Sequence, residues 1–181
     1  LYYSIIRSPL DVPELTAEDI RRHGWPDMAD PQRIAGLREL AASYRGAGYA
    51  VVLKDPFAGL LEMAQRIVGM ERCLLMLAGD KVLAGVLLDK LLDLKLSFWD
   101  MALPRLGDVV DIVSQADDYG TQTSQLISPR MFREQFKPRL CLLFDRVRQL
   151  APHARRFFHS CGMVDAIMDD DSTTVLRRMT P

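Results

Sequence analysis

Across 181 residues the chain is 49% hydrophobic and 26% charged, which excludes a disordered polypeptide and sets one soluble globular domain, or a large piece of one, as the expectation. Lys plus Arg total 23 against 24 for Asp plus Glu, so no net field favours nucleic acid or an anionic membrane surface. No apolar stretch approaches the roughly 20 residues that span a bilayer. Cys73, Cys141 and Cys161 form no CxxC pair, so the expectation is no disulfide scaffold and a reducing, cytoplasmic setting.

Residues 1–10 are broken by Ser4, Arg7 and Pro9 and match neither a signal peptide nor a transit sequence, and the start at Leu1 reads as a cut from something longer. Pro9, Pro13, Pro26 and Pro31 mark residues 1–29 as an irregular lead-in with one short helix opening at Thr16. Asp30-Pro31 is a cap followed by a first-turn proline, and Ile34, Leu37, Leu40, Ala41 and Tyr44 then predict a helix over 31–45, ended by Gly46 and Gly48.

Ala50 to Leu53 is a short apolar run closed by Asp55-Pro56, the pattern of a buried strand. Helices are expected at Phe57–Val68 and Glu71–Leu77. A longer one over 81–98 is capped by Asp80 and carries Val82, Val86, Leu87, Leu91, Leu94 and Phe98. Val109 to Val113 predicts a second strand, and Ser128-Pro129 opens a helix over 129–150 in which Pro138 forces a kink or a break. Arg155 to His159 is the third strand. Strands separated by helices favour a parallel sheet with right-handed crossovers and helices on its outer face.

In parallel α/β folds, chemistry gathers at the carboxyl ends of strands. Three such ends here are polar: Lys54 and Asp55; Gln115, Asp117 and Asp118; His159 and Cys161. A strand's period of two puts His159 and Cys161 on one side, and imidazole and thiolate are preferred zinc ligands. Side chains two apart lie roughly 6.5 to 7 Å from each other, which suits shared metal coordination better than proton transfer to a cysteine nucleophile. The bland alternative is a hydrogen-bonded histidine and a small buried cysteine. Asp117 and Asp118 are the catalytic candidates: one binds substrate or shuttles a proton, and the other holds the loop through backbone hydrogen bonds, unless the pair is simply an exposed turn. No GxGxxG or P-loop is present.

The ordered series Asp108-Val109-Val110-Asp111, Asp117-Asp118-Tyr119-Gly120-Thr121-Gln122, Leu126-Ile127-Ser128-Pro129, Phe132-Arg133, Lys137-Pro138 and Phe158-His159-Ser160-Cys161-Gly162 resembles the uroporphyrinogen decarboxylase superfamily, and more closely its corrinoid-dependent methyltransferase-like branch. The resemblance spans about residues 1–168. It implies an α/β fold, a (β/α)8 TIM barrel, present here as a partial barrel with parallel strands, because a full barrel takes ~250 residues. The expected division is an irregular lead-in at 1–29, βα units at 30–168 and a divergent tail at 169–181.

In that branch an HxC pair and a later cysteine hold a zinc ion that binds a thiol acceptor as thiolate, for methyl transfer from a corrinoid on a partner protein. His159 and Cys161 match the pair. No cysteine follows Cys161, so the expected zinc site is incomplete, with water, Asp117 or Asp118 filling the remainder. Two other readings stay open: a decarboxylase of porphyrin (heme) biosynthesis acting on a small-molecule substrate, and an inactive fragment or corrinoid-protein-binding module. A partial barrel is also expected to leave apolar side chains exposed.

Overall fold

The computed structural model describes residues 7–168, so the expected tail at 169–181 and the first six residues of the lead-in lie outside the described residues. Three short strands, β1 (Val52–Lys54), β2 (Ile112–Ala116) and β3 (Arg155–His159), pair in parallel in the order β1-β2-β3. Leu53 lies opposite Val113, and Ala116 lies opposite His159. The described residues thus form a mixed α/β unit with a small parallel sheet. No helix among them is long and apolar enough to cross a membrane.

The second strand begins three residues later than its apolar run predicts. Gly107–Val109 coils into a 3-10 turn instead. Asp111 is spent on a tie: its carboxylate accepts the Val51 N–H at 2.9 Å, while the Val51 carbonyl accepts the N–H groups of Asp111 and Ile112 at 2.9 and 3.0 Å. Apolar character alone marks Val109 and Val110 as strand, yet the polar ends of the same motif claim its backbone for a connection.

The helices start where their caps predict. Thr16 and Asp19 form a reciprocal capping box at α1 (Ala17–Arg22), and Asp30 accepts the Gln32 N–H before the 3-10 turn Pro31–Ile34. The helix expected over 31–45 is divided, because Gly36 adopts φ 73°, and α2 (Leu37–Gly46) follows it. After β1 come α3 (Leu60–Val68), α4 (Met70–Gly79) and α5 (Lys81–Leu106), with Asp80 accepting the Leu83 N–H at the last of these starts.

Alpha5 runs past its predicted end, carrying Pro104 in its last turn. After β2, Ser128 caps α6 (Pro129–Met131), and α7 (Lys137–Leu150) precedes β3. Between them Phe132–Phe136 forms a π-helical segment. Pro138 therefore neither breaks the rod nor clashes with an earlier carbonyl, since a wider turn just upstream absorbs its missing N–H. A last short helix, α8 (Asp165–Met168), closes the described chain.

One face of the sheet is covered and the other is open. On the covered face Leu53, Val113, Gln115 and Phe158 meet the long helices, with Phe158 against Phe144 of α7 and Gln115 facing Lys95 of α5. The core beneath is apolar: Leu87, Leu91, Trp99, Phe136 and Val147 are all buried. On the open face Val52 is 56% exposed and Phe157 54% exposed. Helix α2 departs from expectation, burying none of its residues and leaving Leu40 and Tyr44 exposed. Leu37 packs against the core, and exposed ion pairs add to that contact: Arg38 grips Asp108, and Arg45 grips Asp111.

Candidate metal site at the carboxyl end of the sheet

The loops leaving β2 and β3 are laced together by main-chain and side-chain bonds. Asp117 N–H donates to the His159 carbonyl at 3.0 Å, Tyr119 N–H to Ser160 Oγ at 3.1 Å, and Met163 N–H to the Thr121 carbonyl at 2.7 Å. Glycines make this approach possible. A Cβ on Gly120 would strike the Met163 backbone, and one on Gly162, where φ is 77°, would strike the backbone of Gly120 and Thr121.

Alternation along the strands then sorts the side chains. Ala116 and His159 share the open face, so Asp117 turns to the covered side and Asp118 returns to the side of His159. Cys161 N–H donates to Asp118 Oδ1 at 2.7 Å, and His159 Nε2 lies 3.2 Å from Cys161 Sγ. One potential ligand atom each from Asp118, His159 and Cys161 lies within 4.8 Å of the others. This separation of the imidazole and the thiol corrects the spacing expected of an unbroken strand. The chain leaves β3 after His159, so strand spacing no longer applies to Cys161, whose thiol approaches the ring.

Asp117 has a different environment. It is fully buried, and its carboxylate accepts the N–H groups of Leu61 at 2.8 Å and Glu62 at 3.0 Å, in the first turn of α3. Burial pushes its pKa up to about 6, while those two N–H groups pull the other way. The Tyr119 phenol, packed among Phe132, Phe136 and Phe158, is raised well above its usual value, first by burial and then by the charge of Asp117. The Cys161 thiol is also raised, chiefly by its hydrogen bond with the Asp118 carboxylate and then by that group's charge. A cation between carboxylate and thiolate removes that repulsion.

Of the other polar strand end, Lys54 is exposed on the open face and Asp55 is buried on the opposite side. Asp55 pairs with Lys95 at 2.5 Å, and Gln115 Oε1 lies 3.5 Å from the same ammonium, which also sits over the Phe57 ring. Burial raises the Asp55 pKa, with Lys95 opposing it. Lys95 is the polar residue that the sequence reading missed. Its signal was position: it stands four residues after Leu91 and four before Trp99, on the apolar stripe of α5.

In comparisons with known proteins, no family model, no curated protein and no solved structure matches this chain. The chemistry of the donor set is therefore the available guide. An imidazole, a thiol and a carboxylate within 4.8 Å of one another fit an ion bound by three protein ligands with one position left for water or substrate.

Proposed function

We propose that the chain is part of a zinc-dependent enzyme of the uroporphyrinogen decarboxylase superfamily, in its methyltransferase-like branch, transferring a methyl group from a corrinoid on a partner protein to a thiol acceptor. The observation that carries this reading is the convergence of Asp118, His159 and Cys161 at the carboxyl ends of adjacent parallel strands. Parallel barrels place their chemistry at that end. The barrel itself is supported by three strands neighbouring one another in chain order and by helices packed on one face, an arrangement that fits an arc of a (β/α)8 barrel.

In this reading His159 binds through Nε2, Cys161 through Sγ and Asp118 through a carboxylate oxygen. Asp118 takes the place for which the resemblance implies a later cysteine. Its hydrogen bond from the Cys161 N–H fixes the carboxylate's orientation before any ion arrives, and Phe157 offers apolar surface on the same face. The bound ion supplies Lewis acidity, holding a thiol acceptor as thiolate at neutral pH.

The test supplies the purified chain with zinc, a methylated corrinoid protein and a small thiol. Zinc-dependent methylation of the thiol that is lost in Cys161→Ser is the expected result. Binding of the corrinoid protein without turnover favours the corrinoid-protein-binding module, and porphyrinogen decarboxylation without methyl transfer favours the heme-pathway enzyme. A cysteine nucleophile is the second reading, resting on the 3.2 Å approach of His159 to Cys161. It requires a thiolate near neutral pH, whereas Asp118 moves the Cys161 pKa upward.

A further inference from the structure

Asp117 adjoins the Asp118 ligand in sequence yet belongs to another layer of the molecule. Its side chain lies on the covered side of the sheet, in the first turn of α3, where Leu61 and Glu62 N–H groups have no partner within their own helix. The residue that would normally cap them is Gly59, which has no side chain to do so. A carboxylate from a different element takes its place, where the positive end of the helix favours it. Gly59 is required for that substitution, because a Cβ there would collide with the Cβ and carboxyl group of Asp117.

The Asp117 backbone meanwhile donates to the carbonyl of His159. One residue therefore fixes the ligand that follows it in sequence, the ligand strand beside it and the helix beneath both. We propose that Asp117 is a positioning residue that sets the spacing of the Asp118–His159–Cys161 triad by pinning the Asp118-bearing turn to the amino end of α3. The inference rests on the metal reading of that triad and deepens it: metal affinity depends on α3, which contributes no ligand.

Two consequences separate this role from general support of the fold. Asp117→Asn keeps the shape but turns an amide N–H toward one helix N–H, and Gly59→Ala keeps the carboxylate but displaces it. Both move Asp118 without removing a ligand. Each is expected to weaken Co2+ binding by ~10 to 100-fold, the range found when residues that orient metal ligands are replaced. The sulfur-to-cobalt absorption band should persist at saturation, because Cys161 is intact.

Coupling is also reciprocal, so in the unmodified chain a bound ion should slow hydrogen exchange at the Leu61 and Glu62 amides. That measurement needs no variant to fold. The experiment is a Co2+ titration of the full chain and of both variants, with hydrogen exchange on the unmodified chain with and without the ion. Weakened binding in folded variants, or slowed exchange at those two amides if the variants do not fold, supports the role. Variants that fold and bind Co2+ as tightly as the unmodified chain overturn it, as does unchanged exchange at Leu61 and Glu62, and either result leaves the metal site standing. An unmodified chain that binds no Co2+ overturns the metal reading and this inference with it.

Discussion

The two ends of the same three-stranded sheet handle aspartates in opposite ways. At the amino end, Asp108 and Asp111 meet Arg38 and Arg45 on the surface, and each charge is answered by an opposite one in water. At the carboxyl end, Asp55 and Asp117 are buried and Asp118 stands beside a thiol and an imidazole. The first arrangement fastens α2, which buries no residues of its own. The second buries its charges, Asp55 against Lys95 and Asp117 against the amino end of α3, and leaves Asp118 beside the thiol and the imidazole. In parallel folds the two ends divide in this way, stability at one and chemistry at the other.

The comparison is broken most severely by removing Lys95. Its ammonium is the only cation against the buried Asp55 carboxylate among the described ion pairs, so Lys95→Met should destabilise the chain by ~3 to 5 kcal/mol in denaturant unfolding. The loss should depend on pH. An unpaired buried carboxyl has a folded pKa above its unfolded value, so it contributes stability that is present at low pH and lost as pH rises through the folded pKa. The deficit of the variant should therefore be smaller at pH 5 than at pH 8. A deficit independent of pH would mean that the pair is not ionised as drawn.

Gly162→Ala comes next. A side chain at φ 77° against the Gly120 backbone should cost about 1 to 3 kcal/mol and pull the two ligand loops apart. Metal binding, followed by Co2+ absorption, should weaken with it; a stable variant of undiminished affinity would show that the loops need no such contact. At the other end, Arg38→Ala should lower the melting temperature slightly, and less at high salt, because both partners are exposed. It should leave metal affinity unchanged. Any loss of affinity there would erase the division between the ends.

The smallest effect is a difference between thiols. Burial pushes Cys73 up to about 12, so iodoacetamide should leave it untouched at pH 8 until the chain unfolds, while exposed Cys161 reacts slowly in the native state. Zinc should then protect Cys161 alone.

Much of this was legible in the sequence where one residue decides one feature. Thr16, Asp30, Asp80 and Ser128 each cap the helix that begins after them, and Arg155 to His159 pairs over the expected span. Legibility fails where two demands meet on one segment. Asp108 to Asp111 is apolar enough for a strand, but its two carboxylates answer arginines that lie some seventy positions earlier in one case and over sixty in the other, contacts that no local pattern carries. Pro138 signals a kink, yet no local pattern marks Phe132–Phe136 as the π turn that absorbs it.

At the site, the side of each aspartate follows from alternation, since Ala116 pairs with His159 and so Asp118, not Asp117, shares its face. That inference needs the register, which the sequence does not supply. Lys95 was hidden for a different reason. A lone cation on an apolar stripe is read as an interruption until the carboxylate it faces is known.

The most direct test of the metal site is anomalous diffraction at the zinc edge from crystals of the chain grown with Zn2+. A single strong peak is expected at about 2.0 to 2.3 Å from His159 Nε2, Cys161 Sγ and an Asp118 oxygen. No peak there, or zinc bound elsewhere while His159 and Cys161 remain hydrogen-bonded to each other, would contradict the account.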